Sequence, residues 1–290
     1  MNNFYNMNFS LVNELISQTC LIYNCKKNTT ILKKRHNSFV VNILNIETLK
    51  ISNIQKIILR DLFNLNGDTN FEIHKFFNIN GIQVAIILNH QYKNINIIFS
   101  GQDNFLDLLN PKHTFKKRIK NNIGVKNIKV HNGFFNLLFK NNLYNDLLNE
   151  IKKIKILYPE YKINITGHSI GGAIATLFGY FLSYSIQAKI YIFSFGSPRV
   201  GNKKWANIFN SKNNLEHYRF VNFNDIISVI PHFNYCHCGS KFLIKKNCYI
   251  DFVYKIDYKD TNSIINNHSI KQNKIEKYYE NFNSCYNIKI

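Results

Sequence analysis

Residues 161–184, YKINITGHSIGGAIATLFGYFLSY, set a short β-branched run directly against a long apolar run, with Gly167-His168-Ser169-Ile170-Gly171 between them. Ile163, Ile165 and Thr166 favour a strand over residues 163–166, and the run 170–184 has the length and apolar content of a buried helix. A strand that passes into a helix within three residues must turn sharply. Glycines on either side of the turn remove the side chains that would otherwise keep strand and helix apart, so Ser169 is expected on a tight, strained apex.

The rest of the chain repeats this alternation. Helices are expected at about 143–157 and 203–210, and strands at 190–195 and 218–222. Residues 82–88 and 95–99 read as a strand hairpin. Strands alternating with helices of this length imply βαβ units and a largely parallel sheet, an α/β class in which a site forms at the carboxyl ends of the strands. Near the amino end, Ser10 is a candidate cap for a helix whose positions Leu11, Val12, Leu15, Ile16 and Ile22 fall near one face. A second amphipathic run, Ile54, Ile57, Ile58, Leu62 and Phe63, precedes an Asn66-Gly67-Asp68 turn. Residues 1–80 are therefore read as a helical cover within the same domain, and residues 81–290 as the α/β core. Residues 236–259 read as a further strand pair or excursion.

With 290 residues, 45% of them hydrophobic, the chain is long enough for one large α/β domain. No run of 18 apolar residues is present, and the first twenty residues lack the basic start and apolar core of a secretory signal. The expected location is cytoplasmic or peripheral to a membrane. The six cysteines are too sparse for a disulfide framework, and Cys236, His237, Cys238 and Cys248 lack the spacing of a zinc site, so neither metal nor cofactor is expected. The net charge of +20 fits an anionic partner. Much of it follows a general richness in Asn, Ile, Lys and Tyr, so distribution says more than total. Residues 113–129 hold six lysines and arginines and no acid.

A serine hydroxyl is a weak nucleophile until a base takes its proton, and the base needs an acid to orient it. Asp225 directly follows the strand YRFVNF, where a site should lie, and leads into the apolar stretch IISVIP. Among the histidines after Ser169, His217 precedes this acid on its strand, leaving His232, His237 and His268 as candidate bases.

GHSIGGAIATLFGYFL, then FGSPRVGN at residues 195–202, and KVHNGF at residues 129–134, together resemble the class-three, fungal-type lipase family of α/β-hydrolases. The resemblance runs from about residue 82 to residue 268. It implies the α/β-hydrolase fold, a mostly parallel central sheet flanked by helices, and a triad of Ser169, Asp225 and His268. It likens YCHCG at residues 235–239 to a family segment that is not catalytic, and leaves His232 as the minority base. The backbone N–H groups of Ile170 and Gln102 are the implied oxyanion donors. Here the sequence departs from the family: Ser100 and Gln102 stand where the family usually has Arg and Thr or Ser. Residues 103–111, with Phe105, Leu106, Leu108 and Leu109, occupy the position of the family's lid.

The expected activity is hydrolysis of a carboxylic ester of a lipid, triacylglycerol or another acylglycerol, through an acyl-enzyme. A phospholipase A-type esterase and a catalytically silent scaffold binding a membrane or partner are the alternatives. The expected partner is a lipid ester at a membrane or droplet interface, with Lys116, Lys117 and Arg118 as candidate contacts to an anionic surface, and no nucleic acid is expected.

Overall fold

The computed structural model describes residues 8–25, 32–35, 38–41, 71–79, 81–101, 116–119, 126–245, 250–253 and 270–287. Gln102, the segment 103–111, the helix expected at 54–63, and His268 lie outside the described residues.

Among the described residues ten strands form one sheet in the order β1-β2-β3-β4-β5-β8-β9-β10-β11-β12. They are β1 Leu32–Arg35, β2 Ser38–Val41, β3 Phe71–Ile79, β4 Ile82–Asn89, β5 Asn94–Phe99, β8 Lys162–His168, β9 Ile190–Phe195, β10 Leu215–Asn222, β11 Ser240–Ile244 and β12 Ile250–Val253. The five central strands from β5 to β11 are parallel, and the strands on both flanks are antiparallel. Burial explains the central position of β5: its residues are covered on both faces, as a strand between two helical layers requires. A separate pair, β6 Lys116–Arg118 and β7 Lys129–His131, is antiparallel. The register brings Phe99 beside Gly167, His168 beside Phe195, and Phe195 beside Phe220, so four parallel strands end at one level. That shared edge receives the loops of the site.

Among the described residues the α-helices are α1 Phe9–Cys25, α2 Asn132–Phe139, α3 Leu143–Leu157, α4 Ile170–Ser185, α5 Lys203–Asn210 and α6 Ile275–Asn287. α4 is buried almost all round, as its near-continuous apolar sequence demands. It packs closely on the sheet because Gly179 carries no side chain: a Cβ there would lie 2.4 Å from Ile192 Cδ1. Each fully buried Ile or Phe in this layer contributes about 1.5–3 kcal/mol through removal of apolar surface from water. No helix among the described residues is long and apolar enough to cross a membrane.

Three details differ from the sequence expectations. Ser10 is not the cap of α1: the helix starts at Phe9, and Asn8 Oδ1 accepts from the Leu11 N–H at 3.0 Å. Asn8 holds the position where a side-chain oxygen reaches the third helical amide, and Ser10 is already inside the first turn. α1 also buries a carboxylate on its packed face. Glu14 accepts hydrogen bonds from Gln18, Asn89 and Asn96, and burial raises its pKa. Finally, β3 carries the sheet across the expected boundary at residue 80, since it pairs with β4 from Phe71 to Ile79. The excursion after residue 236 resolves into β11 beside β10 and β12 beside β11.

Candidate active site

Ser169 sits between β8 and α4 with φ 54° and ψ −125°, in the left-handed half of backbone space that side chains disfavour. Glycines make this turn possible. A Cβ on Gly167 would lie 2.5 Å from the Gly171 carbonyl carbon, and one on Gly171 would lie 2.3 Å from the Phe99 carbonyl oxygen. The turn is fixed to the next strand by the Ser169 N–H, which donates to the Phe195 carbonyl at 2.9 Å. Among the described residues the Ser169 Oγ, itself buried, has no hydrogen-bond partner. Ile170 opens α4, so its N–H is one of the amides that the helix leaves unpaired at its start.

The loop after β5, which leads to Gln102, is anchored beside this turn. Ser100 Oγ accepts from the Gln83 N–H at 3.0 Å, and the Ser100 N–H donates to the Gln83 carbonyl at 2.9 Å. Ser100 thus fixes the loop to β4 as far as the described residues extend.

Asp225 lies two residues beyond Phe223, just after β10, and is 1% exposed. Its Oδ1 accepts from the Ile227 N–H at 2.9 Å, and its carbonyl from the Ser228 hydroxyl at 2.7 Å. Its Oδ2 accepts from Asn273 Nδ2 at 2.7 Å and from the Tyr278 hydroxyl at 2.6 Å. Burial pushes the carboxyl pKa up to about 6, and these hydrogen bonds, Tyr278 foremost, oppose the rise because they favour the anion. Arg199, from the FGSPRVGN segment, secures the loop that follows: its Nη1 donates to the carbonyls of Val229 and of Pro231, the latter at 3.1 Å.

The other histidines downstream of Ser169 that the structure describes have separate engagements. His217 Nε2 is 2.8 Å from Ser194 Oγ, inside the sheet, and burial holds this ring neutral. His237 Nε2 is 2.6 Å from the Ser228 carbonyl, and burial likewise lowers its pKa. His232 Nδ1 lies 3.4 Å from Arg199 Nη1. The structure therefore brings Ser169, Ile170 and Asp225 to one edge of the sheet. Tyr278 and Asn273, which the sequence reading did not single out, meet Asp225 there; the only signal for them was their place after His268, at the start of a terminal amphipathic helix. Among the described residues no group of three or more His, Cys, Asp or Glu is arranged to hold a metal ion. Among the described residues Cys20, Cys236, Cys238 and Cys285 form no disulfide.

Residues 95–235 match the family described as lipase (class 3). A lipase of Rhizomucor miehei is 33% identical over 131 residues, which are 42% of this chain and 35% of that protein. Phospholipase A1-II 1 of Oryza sativa subsp. indica is 36% identical over 103 residues, 34% of this chain and 26% of that protein. The matched segments thus take in well under half of either relative. The solved structure of lipase II from Rhizopus niveus superposes with a TM-score of 0.68 at 21% identity, covering 91% of this chain and 92% of that one, a likeness of fold. The elbow and the strand order give this chain the α/β-hydrolase fold, and residues 95–235, just under half of it, are similar to the class 3 lipase family.

Proposed function

We propose that the chain is a serine carboxylic-ester hydrolase that acts on lipid esters as an acylglycerol lipase, with Ser169, His268 and Asp225 as its triad. The observation that carries this reading is the strained, buried Ser169 at the same sheet edge as the buried carboxylate of Asp225. Strain of this kind persists only where surrounding structure holds it, and here it presents a hydroxyl at the start of a helix.

In the proposed sequence of steps His268 takes the Ser169 proton as Oγ attacks the ester carbonyl carbon. Asp225 orients the imidazole and stabilises its cation. The carbonyl oxygen becomes an oxyanion held by the N–H groups of Ile170 and Gln102. Collapse expels the alcohol, which receives the proton from His268, and leaves an acyl-Ser169 ester. Water, deprotonated by His268, attacks that ester and releases the fatty acid.

A phospholipase A-type activity is the second reading, favoured by the similarity to the Oryza phospholipase. We also place Lys116, Lys117 and Arg118 against an anionic lipid surface, and the protein in the cytoplasm or peripheral to a membrane. Lys117 and Arg118 are exposed, which supports the contact. The test is hydrolysis of a panel of tri-, di- and monoacylglycerols and phospholipids by wild type and Ser169→Ala. Fatty-acid release by wild type that the variant lacks is expected, and the preferred class chooses between the two readings. Equal release by both proteins, or none by either, overturns the proposal.

A further inference from the structure

The donors on Asp225 are arranged with a fixed direction. The Tyr278 hydroxyl accepts from the Asn222 N–H at 2.9 Å, so its own proton points onward, to Asp225 Oδ2 at 2.6 Å. Asn273 Nδ2 donates both to the same oxygen and to the Gly196 carbonyl at 3.1 Å. This second bond fixes the amide so that its nitrogen, not its oxygen, faces the carboxylate. Gly196 leaves room for the cluster: at its φ of +57° a Cβ would lie 2.4 Å from Asn273 Nδ2, 2.6 Å from Asp225 Oδ2 and 2.9 Å from the Tyr278 oxygen. Tyr278 and Asn273 are both buried.

A carboxylate oxygen accepts about two hydrogen bonds. Oδ2 takes two side-chain donors, Tyr278 and Asn273, while the Ile227 N–H donates to Oδ1 and the Ser228 N–H also donates to the carboxylate. We infer that Tyr278 and Asn273 are positioning residues for Asp225: by donating to Oδ2 from two fixed directions they hold the buried carboxylate in one orientation and keep it ionised. The inference rests on the triad reading. Among the described residues no cation acts on the Asp225 carboxylate itself. His168, on β8, has its ring 5.7 Å from that of Tyr278, and burial lowers its pKa to about 3, so it is neutral. Arg219, on β10, is felt by Tyr278, whose hydroxyl burial nevertheless keeps protonated. Two neutral dipoles are thus what favours the anion from this side.

The experiment is the pH profile of kcat/KM on a soluble short-chain p-nitrophenyl ester for wild type, Tyr278→Phe and Asn273→Ala, with Tyr279→Phe as a control. Loss of one donor to a buried anion is expected to move the acid limb upward by about one pH unit, a roughly fivefold loss at pH 6 that approaches about tenfold below it and shrinks toward pH 8.5, in kcat and not in KM. Tyr279→Phe keeps the wild-type limb. If Tyr278→Phe does not fold, Asn273→Ala carries the same expectation. Uniform loss at every pH, with the limb unmoved in the folded variants, marks a merely structural role and overturns the inference alone. A wild type that hydrolyses no ester overturns the triad reading and this inference with it.

Discussion

The α-carbon of Gly171 is so close to the Phe99 backbone that a Cβ on it would sit 2.3 Å from the Phe99 carbonyl oxygen. The first turn of the elbow helix is thereby seated against the end of β5, the strand whose loop leads to Gln102. Gly171→Ala must push backbone against backbone, since no flexible side chain gives way. The expected result is a loss of about 1–3 kcal/mol in urea unfolding, in the range of overpacked sites. A larger proportional loss in kcat than in KM should accompany it if Ile170 and Gln102 are the oxyanion donors proposed above, since the two would be displaced relative to each other.

Asp225→Asn separates catalysis from stability. Turnover should fall by orders of magnitude, on the order of 10⁴ where the acid of a serine triad has been replaced in this way. The pH dependence of stability follows from the raised pKa of the buried carboxyl, about 6 in the folded protein against an ordinary carboxylate value when unfolded. A raised folded pKa means that the folded state holds the proton more tightly. The contribution is therefore fully present below the unfolded pKa and is lost as pH rises through about 6. Relative to Asp225→Asn, wild type should gain about 1 kcal/mol as pH falls from 7.5 to 5. Unfolding of the two proteins by urea at both pH values checks the sign, and a relative gain toward high pH would contradict it.

Much of this site was legible because its constraints are local. A β-branched strand, a glycine-flanked serine and an apolar helix adjoin one another in sequence, so Ser169 and Ile170 fell where steric demands put them. Asp225 was legible from the strand before it. Tyr278 and Asn273 were not: their role depends on α6 returning to the end of β10 about fifty residues later, and no spacing encodes that. β3 escaped because its alternation is broken where the register shifts between Ile73 and Lys75. Glu14 escaped because an amphipathic reading puts carboxylates outside, whereas Asn89 and Asn96 give this one a buried set of donors.

His268→Ala should reduce kcat to the residual rate of Ser169→Ala, and the double variant should be no slower than either, because members of a triad act as a unit. Steady-state kinetics on one soluble ester measures this. An active His268→Ala, with activity lost in His232→Ala, would transfer the base to His232.

Replacing Lys116, Lys117 and Arg118 by Gln should weaken binding to anionic vesicles at low salt and leave binding to neutral vesicles unchanged. Each charge near such a surface contributes about 1 kcal/mol, and screening over roughly 8 Å at physiological ionic strength erodes it. Co-sedimentation at low and high salt is the measurement. Equal binding of both proteins to anionic vesicles at low salt removes the basic strand from the account.

An activated nucleophile at Ser169 should be phosphonylated by a reagent that leaves ordinary serines untouched. Wild type and Ser169→Ala are treated with a fluorophosphonate, digested, and read by mass spectrometry. One adduct is expected, on the peptide that contains Ser169, with none in the variant and ester hydrolysis lost in step with labelling. An unlabelled Ser169 in a protein that still hydrolyses lipid esters, or an adduct on another residue that tracks the activity, would contradict it.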